Sequence, residues 1–496
     1  MEESMGRWPR AGKVAMALVA SALAGCVGVE GDEGQMTAGG EGDPGSATGG
    51  SVLPSGFYID PYKSVLIRQV GVVDDDTRTQ DPCTSGNDIS RKYWSFGYLM
   101  TQMANTTDYN GFARSWLSSW ETTTSLNGDS LAEVRPTDPL IAGMKPIATR
   151  AREAWTRASG SSTLAMSKAP FRLLAIVNRF DLRKDKQRFG VGNLSNSGNA
   201  GELRFVFSVL DLDNGCAEYS TPNNNSFRGQ ELVILEYAVN LSTADARRNW
   251  ITSWTDLTNY EPGTFEFNSR LQNLTQQVVA KGKGGTRPNG SALIRIRTNE
   301  TANAVRWDMR EFTINGSTHL VVPATVKLTP RDSLNCVLNN STTCSNDLAH
   351  WMRDHGNEIL ADTYVVPDQF PSGYSSRYFL GAHSSNAVAN TYWVGGSGYT
   401  VPPDVRHQFS KGTCSGCHSA ETGTGFFHIQ GREKGDVAKL SPFLTGYECG
   451  GSMLGCGAEI YGNPHCVDDP VSHQQRCFGE VDRRVEDILS FLNTGV

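Results

Sequence analysis

Trp307-Asp-Met-Arg-Glu-Phe-Thr-Ile-Asn-Gly-Ser-Thr-His-Leu-Val-Val-Pro-Ala-Thr-Val326 reads as two strands joined by a turn. Asn315-Gly316 is a two-residue hairpin signal, because both residue types tolerate the positive φ that a type I′ turn requires. The stretch 307–314 leads into that turn, and 319–326 returns as its antiparallel partner. Working outward, 170–177, 203–210, 231–239 and 293–297 are apolar runs with the composition of strands, and 64–73 reads as a strand region. Apolar residues at helical spacing mark 93–103, 111–122, 246–257 and 267–279. The stretch 365–403, rich in Pro, Gly, Ser and aromatics, reads as long surface loops before a boundary. No repeat of fixed period is found. The expected fold is α+β: a large, mainly antiparallel β-rich body with helices, followed by a small, mostly helical, cysteine-rich C-terminal module.

Four segments follow from composition. Residues 1–26 have a positive start (Arg7, Arg10, Lys13) and a short apolar run from Val14 to Ala24, the pattern of an export signal. Residues 27–56 are a Gly-, Ser- and acid-rich tether with almost nothing to bury. Residues 57–400 form the body, of no assigned function, and 401–496 the C-terminal module. Net charge is −7, and the charged fraction is ordinary, so nucleic acid is not expected as a partner. No later stretch is long and apolar enough to span a bilayer.

One short stretch names a cofactor. Cys414-Ser-Gly-Cys417-His418 has the spacing at which two thiols add to the vinyl groups of haem and the next residue offers an imidazole to the iron. The same five residues also admit a local disulfide, or a zinc site in which Cys414 and Cys417 are joined by His418 or His428. Of the eleven cysteines, eight remain once Cys26, Cys414 and Cys417 are set aside, an even number that suits disulfides in an exported chain. Cys336 with Cys344 closes one loop. Cys449, Cys456, Cys466 and Cys477 are expected to make two bridges among themselves, which leaves Cys83 with Cys216.

Charged residues sit unusually close to the apolar strands: Arg179, Asp181 and Arg183; Glu202 and Arg204; Glu236; Arg297 and Glu300; Arg310 and Glu311. They read either as a polar pocket or as buried Arg–carboxylate pairs that fix strand register, and the absence of an accompanying nucleophile favours the second. There is no Gly-x-Ser-x-Gly elbow, no His-Glu-x-x-His helix and no phosphate-binding glycine loop. No catalytic residue is assigned, and whether the chain is an enzyme is left open.

Three resemblances add to this reading. Leu23-Ala24-Gly25-Cys26 resembles the bacterial lipobox, which implies cleavage before Cys26, acylation of that residue and a membrane anchor of two or more chains. Val27 after the cysteine, where an Asp would signal the inner membrane, favours an outer-membrane lipoprotein facing the periplasm or the cell surface. From Val405 onward, the order of features resembles a class I c-type cytochrome domain: a short helix at 404–410, the attachment site, Met453 in a glycine-rich loop and an amphipathic helix at 481–492. That likeness implies haem c on Cys414 and Cys417 with His418 as proximal ligand. Met453 is then the distal ligand, with His428 as its competitor. The run from Val177-Asn-Arg-Phe-Asp-Leu-Arg183 through Arg297-Thr-Asn-Glu300 to the attachment site is similar to a group of uncharacterised exported proteins of myxobacteria, and brings no activity with it.

Two functions are therefore expected as alternatives. One is a lipid-anchored redox protein that exchanges electrons with a partner protein docked by the large body. The other is a haem-free surface lipoprotein for binding or structure, its Cys/His tail stapled by disulfides or zinc. Glu421 reads as an exposed acid, with a hydrogen bond to His418 as its alternative.

Overall fold

Eight strands form one antiparallel sheet: Leu66–Ile67 (β1), Phe171–Arg179 (β2), Glu202–Val209 (β3), Leu232–Ala238 (β4), Leu293–Asn303 (β5), Arg306–Ile314 (β6), Val321–Ala324 (β7) and His383–Ser385 (β8). The order is β1-β2-β3-β4-β5-β6, after which β7 pairs with one half of β6 and β8 with the other. With its helices this is the α+β fold expected. The computed structural model describes residues 58–122, 124–131, 147–183, 200–210, 231–303, 306–336, 346–385, 391–396, 399–425, 427–448 and 463–494.

The hairpin expected over 307–326 is present, but its turn is longer than expected. Ile314 pairs with Val321, so the connection runs over 315–320. The Asn315 side-chain oxygen accepts from the amides of Ser317 at 2.8 Å and Thr318 at 2.9 Å. That Asx turn takes up amides which a tight turn would use otherwise. The positive φ accordingly falls on His319, at 60°. Upstream, only Leu66–Ile67 of the expected 64–73 strand pairs with β2, and Val70–Val73 is a helical turn. A short apolar run does not by itself distinguish a strand from a buried turn.

Strand alternation sorts the side chains onto two faces. Phe171, Phe205, Phe207, Leu235, Ile296 and Phe312 face one core. It is covered by Phe96–Met103 (α1), Tyr109–Glu121 (α2), Ile147–Ser159 (α3), Ala244–Thr255 (α4) and Phe265–Val279 (α5). Leu66, Val177, Val206, Trp307 and Met309 face the other way and are covered by Cys414, Phe427, Leu440, Phe443 and Leu444. The last helix, Glu480–Thr494, serves both: Val485, Ile488 and Phe491 enter the first core and Val481 the second. The C-terminal residues thus pack into the same compact unit as the sheet, which spans 48–496.

The 365–403 stretch differs from the surface loops expected. It has little regular structure, yet Val366, Phe370, Phe379, Tyr392 and Trp393 are buried in a third core with Trp351 and Phe409. Aromatic side chains bury enough area to order a segment that has no ladder of its own.

Candidate functional site

The cysteine pair is held at a helix junction. Pro403–Gly412 (α6) ends at Thr413, whose hydroxyl accepts from the Gly416 amide at 3.1 Å and caps the short helix Cys414–Cys417 (α7). Trp393 Nε1 donates to the same oxygen at 2.9 Å, and the Cys414 amide donates to Thr329 Oγ1 at 2.9 Å. A Cβ on Gly416 would lie 2.2 Å from the Ser410 carbonyl oxygen, so the motif's third position has to be glycine at this junction. Cys414 and Cys417 are free thiols; the local disulfide considered for them is not formed.

Both candidate histidines stand beside them. His418 is buried and lies flat against Trp307 of β6, with ring centroids 4.4 Å apart and planes within 11°. The ring of His428 is 4.4 Å from that of His418, its Nε2 is 3.2 Å from Cys417 Sγ, and its Nδ1 is 2.9 Å from Ser441 Oγ. Burial, and then the charges of His418, Arg484 and Arg179, hold the His428 imidazole well below the usual range. Burial also raises both thiols. Neutral thiol against neutral imidazole is the arrangement these shifts favour, which is the reverse of an activated Cys–His nucleophile.

These four side chains line one cavity of about 1100 Å³, its open mouth included. Its apolar walls include Leu66, Val177, Val206, Leu232, Ile234 and Phe443, while Arg179, Arg204, Arg297, Lys411 and Arg484 also line it, with Glu480 as the one carboxylate among the described residues. Apolar walls with a few convergent polar groups are the general form of a ligand or cofactor site.

Most of the charged clusters noticed in the sequence converge behind this cavity; Arg310 lies on the opposite face, where its Nη1 donates to the Trp120 carbonyl at 3.2 Å, Arg183 pairs with Asp487, and the side chain of Glu300 lies outside the described residues. Register sets Arg204 opposite Glu236, Glu236 opposite Arg295, and Arg297 opposite Glu311. Arg204 contacts Glu202 at 2.6 Å and Glu236 at 3.1 Å, and Arg297 contacts Glu311 at 2.6 Å. Lys327 reaches in from beyond β7 to Glu202 at 2.8 Å and Glu236 at 2.6 Å. Burial alone would raise Glu236, but Arg204, Arg297 and Lys327 together overcome it and hold the carboxylate well below its usual range. The ladder pins strand register and floors the cavity, so the two readings of these residues describe one object. A second cluster adjoins it: Arg179 with Asp181 at 2.9 Å, Arg483 with Glu480 at 2.5 Å and Asp181 at 3.3 Å, and Arg484 with Glu480 at 3.2 Å. Burial, and then Arg179 alongside, push the Arg484 guanidinium down to about 10.

Among the described residues, the group of three whose ligand atoms lie within 4.8 Å of one another is His407, Glu421 and Asp469. Cys414, Cys417, His418 and His428 are not gathered in this way. Arg406 already stands between the two acids, with Nη2 2.7 Å from Glu421 and 2.8 Å from Asp469, while His407 Nδ1 is 2.6 Å from Glu421. A guanidinium where a cation would sit makes this a buried ion-pair network. Glu421, expected to be exposed, is fully buried within it.

Of the cysteines, Cys466 and Cys477 are bridged, as one pair among the last four, and Cys83 and Cys336 are each in a disulfide. Cys26, Cys216, Cys344, Cys449, Cys456 and Met453 lie outside the described residues. Among the described residues no helix is long and apolar enough to cross a membrane. No protein-family model matches the chain, and neither a curated protein nor a solved structure does.

Proposed function

We propose that this chain is an exported, lipid-anchored redox protein that carries haem c on Cys414, Cys417 and His418 and exchanges electrons with a partner protein. One observation carries the reading: two free thiols and the histidine of a single attachment motif open onto one cavity with apolar walls and cationic lining. The residues fit the group. Both thiols are available for thioether bonds, Leu66, Val206, Ile234 and Phe443 offer apolar surface to a macrocycle, and the arginines offer donors to its carboxylates. Bound there, haem would supply one-electron transfer. His428 shares the cavity, but 4.4 Å between ring centroids leaves no space for a macrocycle between it and His418. Distal ligation by His428 therefore requires the two rings to part, and Met453 is the other candidate. Acylated Cys26 and the 27–56 tether would hold the protein at the outer membrane, facing the periplasm or the cell surface.

A haem-free binding or structural lipoprotein is the competing reading. The His418–Trp307 stack and the Cys417–His428 contact favour it, since both side chains already have packing partners of their own. Zinc on the four Cys/His side chains would need them drawn together.

The deciding experiment is a pyridine haemochrome spectrum of protein made in the periplasm of cells equipped for c-type haem maturation, with zinc and iron assayed on the same sample. One covalent haem per chain supports the redox reading. No haem, with or without zinc, overturns it in favour of the structural one.

A further inference from the structure

Among the described residues, the cations that line the cavity outnumber its carboxylates. In the cluster beside His428, three guanidiniums (Arg179, Arg483, Arg484) share two carboxylates (Asp181, Glu480). In the ladder beneath, Arg204, Arg295, Arg297 and Lys327 share Glu202, Glu236 and Glu311. Among the described residues, each cluster holds one more cation than carboxylate. An uncompensated buried cation is costly in a protein interior, and such a site is completed when a ligand brings the missing charge.

Arg484 locates the shortfall. The residue is only 7% exposed and lines the cavity. Its Nε bonds Glu480 at 3.2 Å, and Glu480 also takes a shorter contact from Arg483. The two Nη atoms of Arg484 have no hydrogen-bond partner among the described residues. Arg179 spends Nε and Nη2 on Asp181, both at 2.9 Å, and lines the same cavity. Two buried guanidiniums with donors left over line one cavity and can offer those donors to an anion there.

We infer that the Arg179–Arg484 end of the cavity binds an anionic oxygen group, either a carboxylate carried by a tetrapyrrole or a small free oxyanion. The first source rests on the haem reading; the anion site itself does not.

The test uses the full chain made without haem-maturation machinery, so that the cavity holds no covalent group. Mesoporphyrin IX carries two propionates and has no vinyl groups to attach. It is titrated against Trp fluorescence beside its dimethyl ester, and inorganic phosphate is titrated separately by calorimetry. A carboxylate source predicts diacid binding at least about tenfold tighter than ester binding, with Arg484→Gln weakening the diacid about tenfold and leaving the ester unchanged. A free-oxyanion source predicts phosphate binding that Arg484→Gln removes and Arg484→Lys retains, without porphyrin discrimination. Equal binding of diacid and ester by the unsubstituted protein, together with no phosphate binding, overturns the site without recourse to any variant. The haemochrome result is independent: a chain that takes no haem yet binds phosphate loses the redox reading and keeps the anion site.

Discussion

Trp307 and His418 lie ring over ring, 4.4 Å between centroids and 11° between planes, one from the start of β6 and the other directly after the cysteine pair. The stack fastens the motif to β6, so the orientation of His418 is set by a strand and not only by its own helix. Trp307 is fully buried. Trp307→Ala should cost about 3–5 kcal/mol in urea unfolding, while Trp307→Phe keeps a ring against His418 and should cost less than half of that. Equal losses for the two would mean that the stack contributes volume alone.

Lys327 bridges Glu202 and Glu236, both fully buried. Lys327→Met removes one partner from a network that is already dry. Two carboxylates then compete for Arg204 and Arg297, and the expected loss is about 3–5 kcal/mol. The double change Lys327→Met, Glu202→Gln removes one charge of each sign, leaves Arg204 paired with Glu236, and should recover part of it. A single variant that melts like the parent would contradict the network's role in holding strand register.

Asp482 gives a pH signature. Burial, and then Glu486, raise its carboxyl to about 6. The protonated form is therefore favoured by the native state. The group's contribution is present below its unfolded value of about 4 and is lost as pH rises through about 6. Its side chain is half-buried, so solvent screening reduces the effect to the order of 1 kcal/mol. Asp482→Asn should gain about that much at pH 7.5 and nothing at pH 4, read as the variant-minus-parent difference in melting temperature at the two values. A difference that does not change with pH would reject the assignment.

The Cys466–Cys477 bridge joins two short antiparallel strands with a sequence separation of 11. Closing a loop of that size contributes about 2.5–3 kcal/mol through the unfolded chain. Paired Ser substitutions should lower stability by that amount while leaving the thiol count at Cys414 and Cys417 unchanged, as read by a thiol reagent under denaturing conditions.

Three of the five longest strands are legible as apolar runs of strand length, Arg306–Ile314 is legible from its hairpin turn, Leu293–Asn303 only over its first half, and the arginine–carboxylate pairs are legible as pairs. Their union into one ladder is not, since it depends on register: Arg204 meets Glu236 across a connection that no local pattern encodes. Lys327 carried no signal at all, lying just past the expected strand 319–326. The helix Ile147–Ser159 is not legible, because its buried stripe is Ala148, Ala151, Ala154 and Trp155, too thin to stand out among arginines and threonines. In the site, Cys414, Cys417, His418 and His428 could be named from spacing. Arg179 and Arg484 could not be joined to them, because one belongs to a strand end and the other to a helix more than 300 residues later.

The helix Glu480–Thr494 wedges Val485, Ile488 and Phe491 into the same core as Ile59, Ile67 and Phe96. Contacts of such long range form late and slowly. As the chain emerges, one face of the sheet waits for the covering residues from Cys414 to Leu444, and the other waits for this final wedge. A chain halted near residue 400 lacks both, and should stay open and protease-sensitive. The same delay would leave Cys414 and Cys417 reachable until the covering segment that carries them closes on the sheet. A group that must be joined to them by covalent chemistry can then be installed before the interior shuts around it.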